Sequence, residues 1–158
     1  MNVFIVDADP KQAAIALADR HVVKMPLEAG QMLSTVLRGR GLSTVGGVDL
    51  YRATHGHHPC TLWAGTPQGF AWLVAHGLAL CAEYTHRYGK QHASLPLIEA
   101  VAGLGDGSPG IQGAALCVPE EHRVEGDPVA SYRQALRAKY AGWGTAARWT
   151  RRERPPWA

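Results

Sequence analysis

The chain has 158 residues, 46% of them apolar and 18% charged, with a formal net charge of +3. That is the balance of one globular domain long enough to bury a core, and it argues against a disordered or fibrous chain. Cys60, Cys81 and Cys117 are odd in number and far apart, no apolar run has the length of a membrane span, and NVFIV runs at once into Asp7 and Asp9. These features argue against a zinc ribbon, a disulfide framework, a membrane anchor or a signal peptide, and for reduced thiols in a cytoplasmic setting.

Taken in order, Asn2 to Val6 is β-branched and short, a strand or an extended arm. Asp9-Pro10 reads as an N-cap followed by proline at the first helical position, opening a helix to about Ala18 that either stops there or continues into the next. From Ala18 to Gly39 the helical period separates His21, Lys24, Glu28, Gln31, Thr35 and Arg38 onto one narrow stripe, with apolar residues over almost all the rest. Such a helix is expected to be buried, kinked at Pro26, and ended by Gly39 and Gly41. A base, an ammonium and a carboxylate at i, i+3 and i+7 suit proton-transfer chemistry, and they equally suit a solvated, ion-paired face. Ser43 to Asp49 reads as a loop with a Gly46-Gly47 turn.

Tyr51 to Pro59 holds His55, His57 and His58. The helical ligand spacing H-x-x-x-H is missing and Gly56 and Pro59 favour a loop, so these imidazoles are expected to cap helix ends or touch phosphate; no metal and no cofactor are expected. Thr66-Pro67 opens a long helix from Gln68 to Tyr88, with Gly89 as its C-cap. His76, Glu83 and Arg87 share a stripe on it, beside Trp72. They form either a surface ion pair at i, i+4 or a second lining for a cleft shared with the first stripe. His92 to Leu104 reads as a short helix and Gly105 to Asp127 as a long Gly- and Pro-rich loop. Asp127-Pro128 starts a last helix to about Gly142, in which Val129, Tyr132, Leu136, Tyr140 and Trp143 face the core while Arg133, Arg137 and Lys139 flank them outside.

The expected fold is mainly α: a compact single helical domain over residues 1–147 with a short N-terminal extended segment, and a basic Trp/Arg-rich tail over 148–158. From Ser131 to the end there are seven bases against Glu153 alone, whereas Gln91 to Ala130 carries six acids against Arg123 alone. The basic block with its interleaved tryptophans points to nucleic acid as partner, although a tail packed back by its tryptophans fits as well. The candidate phosphate or base contacts are Arg52, His55, Arg87, Lys90, His92, Arg148, Arg151 and Arg152. The oligomeric state is left open.

Leu17-Ala18-Asp19-Arg20-His21 through Glu28 resembles the first long helix of the bacteriophage pyrimidine-dimer DNA glycosylases of the endonuclease V type, which share an L-A-D-x-H start. Their catalytic glutamate falls in register with Glu28. His58-Pro59 before a helix closing on Glu83-Tyr84 and Arg87-Tyr88-Gly89 is similar to the family's next helix. The segments HVVKM, THGHHP, EYTHRYGKQH and WTRRERPPW also resemble a set of short phage proteins of unknown role. The resemblance implies a helical enzyme that flips a nucleotide out of duplex DNA and cuts its glycosidic bond, using an N-terminal threonine amine as nucleophile and the helix glutamate to stabilise and process the intermediate. This chain departs at Met1-Asn2, where no threonine amine is exposed. Leu27 and Gln31 stand where the family has arginines, and about six extra residues before His21 shift the expected position of the N-terminus.

The reading is therefore a DNA-processing protein of phage type, in the cytoplasm of an infected host. It is favoured as a base-excision glycosylase/lyase or another enzyme acting on a flipped base. Glu28 is the acid/base or electrostatic residue, Lys24 the available replacement amine, and His21 and His58 the candidates for proton transfer or phosphate contact. A DNA base-hypermodification transferase and a non-catalytic DNA-binding or inhibitory phage protein are the alternatives.

Overall fold

The computed structural model describes all residues from Met1 to Ala158. It is mainly helical: α1 (Pro10–Ala16), α2 (Asp19–Gly39), α3 (Pro59–Ala64), α4 (Pro67–Tyr88), α5 (Leu95–Val101) and α6 (Pro128–Trp143), with one small hairpin of β1 (Thr44–Val45) and β2 (Val48–Asp49). The helix starts follow the local signals. Asp9 Oδ1 accepts from the Lys11 amide at 2.8 Å, Thr66 Oγ1 from Gly69 at 3.1 Å and Asp127 Oδ1 from Ala130 at 2.8 Å, each ahead of a proline. Gly89 ends α4 in the left-handed region at φ 66°. Gly46 and Gly47, both at positive φ, turn the hairpin.

α4 is the central helix and packs against α1, α2, α3 and α5. At Gly77 a Cβ would lie 3.1 Å from Ile98 Cδ1 and 3.4 Å from Ala29 Cβ, so the missing side chain lets α2 and α5 approach α4. Arg38 holds the segment after the hairpin, donating to the carbonyls of Tyr51 and Leu50 at 2.6 and 2.7 Å. Thr35 Oγ1 bonds both the amide and the carbonyl of Thr54. The lower half of the α2 stripe is thus structural. No helix is long and apolar enough to cross a membrane.

Several local expectations are corrected. The first helix stops at Ala16, short of the expected end near Ala18, and of the two readings it is the one separate from α2. α2 is not buried almost all round, because Val23 and Leu27 are 46% and 43% exposed on a side that no other helix covers. The region from His92 to Leu104 is helical only from Leu95, with a single 3-10 turn after Val101. α3 follows directly on the histidine loop, started by His58.

Residues 2–6 form an arm rather than a strand, and its Val3, Ile5 and Val6 are fully buried. Phe4 sits at φ 54°, a conformation costing a non-glycine residue on the order of 1–2 kcal/mol. Buried neighbours on both sides fix the arm so that the Phe4 ring meets His21 at 4.5 Å and Tyr132 at 6.3 Å between centroids. Arg133 of α6 secures the next stretch, donating to Val6 O at 2.7 Å and meeting Asp7 at 3.3 Å.

Candidate active site

The upper half of the α2 stripe opens onto a cleft of about 680 Å³. One wall is α2, with Arg20, His21, Lys24 and Glu28. The second is the arm, with Asn2 and Phe4. The third comes from residues 117–122 and from α6, with Lys139 and Trp143. Glu28 is the one carboxylate lining this space, against the cations Arg20, Lys24 and Lys139. A cleft bordered by positive charge attracts a polyanion.

Glu28 is held from two directions. Lys24 Nζ, one turn earlier, lies 2.9 Å from Oε1, and the backbone amide of Asn2 donates to Oε2 at 2.9 Å. The carboxylate side chain is 9% exposed and that of Lys24 67%, so the pair joins a fixed acid to a mobile cation at the mouth. The arm folds back on α2, which brings the nitrogen of residue 2 to Glu28. The Asn2 side chain completes the anchor, donating Nδ2–H to Cys117 O and accepting the Val3 amide at Oδ1.

His21 is 4% exposed and packed among Phe4, Tyr140 and Trp143. Tyr140 accepts the Ala18 amide at its hydroxyl, and its own proton is best used toward His21 Nδ1 at 3.0 Å. That tautomer leaves Nε2–H without a partner. Burial, then Lys139 and Lys24, pull the His21 pKa down to about 3, so the ring is neutral at physiological pH and offers a hydrogen bond rather than a charge.

His76 is different in place and task. It stacks on Trp72 at 4.6 Å and bonds Pro10 O through Nδ1 at 2.9 Å, and burial pulls its pKa to about 4. Glu83 and Arg87 lie inside a separate ion cluster. The two stripes therefore do not line one shared cleft.

The depressed histidines make stability depend on pH. Both folded values lie below the ordinary 6.5, so as pH falls the unfolded chain takes up protons first. The stability present above pH 6.5 is lost progressively down to the folded values of about 3 and 4. At about pH 5.5 the loss is about 1.4 kcal/mol for each ring. The melting temperature should fall clearly between about pH 7.5 and 5.5, and less steeply in His76→Gln; a flat profile would contradict the assignment.

A family model described as pyrimidine dimer DNA glycosylase matches residues 1–96. The chain belongs to the pyrimidine dimer DNA glycosylase family. No curated protein and no solved structure matches it. The family's activity is of DNA glycosylase type, with DNA as substrate. The match covers the arm, α2 with Glu28, and α3 and α4; the cleft wall from residues 117–143 lies beyond it.

The residues expected from sequence to serve this glycosylase family member fall in different places. His21, Lys24 and Glu28 meet in the cleft. His58 does not line it: its Nδ1 accepts the Cys60 amide at 3.2 Å and caps α3. Burial, then the N-terminal charge and His55, lower its pKa against the pull of Glu28. Arg52, His55 and Lys90 are exposed. His92 uses both ring nitrogens on backbone, donating to Val23 O and accepting from Ser94 N. Arg87 is 2% exposed with its guanidinium enclosed by protein acceptors, so it cannot reach a phosphate.

The tryptophans pack the C-terminal residues back. Trp149 Nε1 donates to Ala16 O at 3.0 Å, and Trp157 stacks on Tyr140 at 6.3 Å. Arg152 pairs with Glu83 at 2.8 Å, while Arg148 and Arg151 stay exposed and bond the carbonyls of Thr145 and His86.

The three clustered histidines do not converge: His55 Nδ1 bonds Thr54 Oγ1 and His57 is exposed. A different group does, His58 with Cys60 and Cys117, whose ligand atoms lie within 4.8 Å of one another. The Cys60 thiol donates to Cys117 Sγ at 3.3 Å, which draws Cys117 down to about 7 and pushes Cys60 up. Sequence spacing hid this pair because its members are 57 residues apart. It also missed Asn2, Phe4 and Lys139 as cleft residues and gave Trp143 to the core. The available signal was Lys139 and Trp143 at i, i+4 on α6, an amine and a ring on one helical face.

Proposed function

We propose that the protein is a base-excision DNA glycosylase whose cleft receives a nucleotide flipped out of the duplex, with Glu28 as its acid/base and electrostatic residue. The observation that carries this is Glu28 itself, a single carboxylate fixed by Lys24 and Asn2 in a largely apolar cleft whose other charged side chains, Arg20, Lys24 and Lys139, are cations. Breaking a glycosidic bond builds positive charge on the sugar and requires protons to be moved. A preorganised, largely buried carboxylate serves both needs. Arg20 and Lys24 at the mouth suit the flanking phosphates. Phe4 and Trp143 place aromatic rings in the cleft, and stacking on a ring is the usual way of holding a base outside the duplex. The volume falls in the range of sites that enclose a ligand of nucleotide size.

The test is a panel of otherwise identical duplexes: plain, abasic, pyrimidine-dimer-containing and modified-pyrimidine. Base release and strand cutting are measured on each. Release or cutting confined to one altered duplex is the expected result. Binding without either on any of them would sink the proposal and leave a DNA-binding protein; a changed base with its glycosidic bond intact would make it a base-modifying enzyme.

A further inference from the structure

We propose that His58, Cys60 and Cys117 form a zinc site that ties the cleft wall at residue 117 to the start of α3. The base-excision reading gives these three side chains no task, and the site stands or falls without it. Their ligand atoms lie within 4.8 Å of one another, and the two sulfurs are 3.3 Å apart. Ligands at zinc bond lengths and tetrahedral angles stand about 3.5–3.8 Å from each other, so closing on an ion asks for side-chain shifts on the order of 1 Å. Cys60 is buried while His58 and Cys117 are half-buried, which leaves a side by which an ion enters.

The donor set selects the metal. Two sulfurs and an imidazole are soft or borderline ligands, and with no carboxylate among them magnesium and calcium are excluded. Zinc accepts two cysteines and a histidine, with a water in the fourth position. Binding expels a proton from each thiol, so two thiolates meet the charge of the ion. The positive charges of the Met1 α-amino group and, at Cys117, of Arg123 favour that loss. The imidazole ligates in its neutral form. Its one lone pair now accepts the Cys60 amide at 3.2 Å, and coordination replaces that capping bond.

The link would act on the cleft. His58 and Cys60 sit at the start of α3, whereas Cys117 lies in an irregular segment 57 residues further on. The Cys117 carbonyl accepts the Asn2 side-chain amide at 2.9 Å, and the Asn2 backbone amide donates to Glu28 at 2.9 Å. An ion that fixes Cys117 to α3 therefore steadies the arm that holds Glu28.

The test uses the full chain, purified without an affinity tag under reducing conditions, stripped with chelator and re-equilibrated with zinc sulfate. One zinc ion per chain should remain after dialysis, and the melting temperature should rise with zinc and return with chelator. Cobalt(II) added instead should give the near-ultraviolet absorption of sulfur ligation, a readout on the wild-type protein that needs no variant to fold. Cys117→Ser and His58→Gln should each weaken zinc binding more than about 100-fold, since even the outer-shell partners of a metal are worth 10–100-fold. Cys81→Ala, which removes the thiol outside the trio, should bind as the wild type does. A folded wild-type protein that retains no zinc, or equal binding by Cys117→Ser, overturns the site. A Cys60–Cys117 disulfide formed in place of zinc uptake, read as a mass lower by two hydrogens, overturns it in favour of a redox pair.

Discussion

Glu28→Gln should leave the protein folded and bound to DNA, and turnover on the duplex that the wild type processes should fall by about 100-fold or more, the usual loss when a general acid/base is removed. The amide keeps the shape and one acceptor for the Asn2 amide at Oε2. It loses the charge facing Lys24 at 2.9 Å and the capacity to take a proton. Because Lys24 is 67% exposed, dissolving that ion pair should cost at most about 1 kcal/mol, so stability and activity separate cleanly. Denaturant midpoints and single-turnover rates on the same preparation make the comparison. Full activity in Glu28→Gln would reduce the α2 stripe to an ordinary ion-paired face.

The parts of this molecule legible in its sequence are those decided locally. Thr66-Pro67 and Gly89 bracket α4 almost to the residue, and Asp127-Pro128 starts α6, because caps and prolines act within one turn. The α2 stripe was legible as a face, and its members His21, Lys24 and Glu28 do meet in one cleft. What they meet was not legible. The Asn2 amide reaches Glu28 across 26 residues only because a buried arm folds back, with Phe4 at positive φ, and nothing in NVFIV encodes that turn. The segment from 117 to 122 lacks helical period, yet it forms a wall of the cleft together with α6. Lys139 looked like one more exposed base on α6 because a helical wheel knows nothing of the Phe4 ring beneath it.

Arg87 shows the same limit from the other side, where a charge at the end of a helix resembled a phosphate contact and is instead a core element. Its Nε meets Glu83 Oε1 at 2.8 Å, Nη1 meets Leu17 O and Asp19 Oδ1 at 2.9 Å, and Nη2 meets Ile15 O at 3.0 Å. One guanidinium thus ties the end of α1 and the start of α2 to α4. Arg152 and Thr150 close the outside, bonding Glu83 and Asp19 respectively. Burial alone would raise the Glu83 pKa, but the hydrogen bonds from Arg152 and Arg87 outweigh it and the net direction is down. Arg87→Met should therefore destabilise the fold by about 3–5 kcal/mol, since it strands the Leu17 and Ile15 carbonyls and leaves the buried Glu83 carboxylate to Arg152 alone. That is a large part of the 5–15 kcal/mol typical of a domain. Arg87→Lys should recover little, because an ammonium cannot span the four acceptors that the planar fork reaches. Arg152→Ala, at the exposed edge, should cost no more than about 1 kcal/mol. Urea midpoints for the four proteins measure all of this, and an Arg87→Met midpoint close to wild type would mean that the cluster contributes nothing to holding α1, α2 and α4 together.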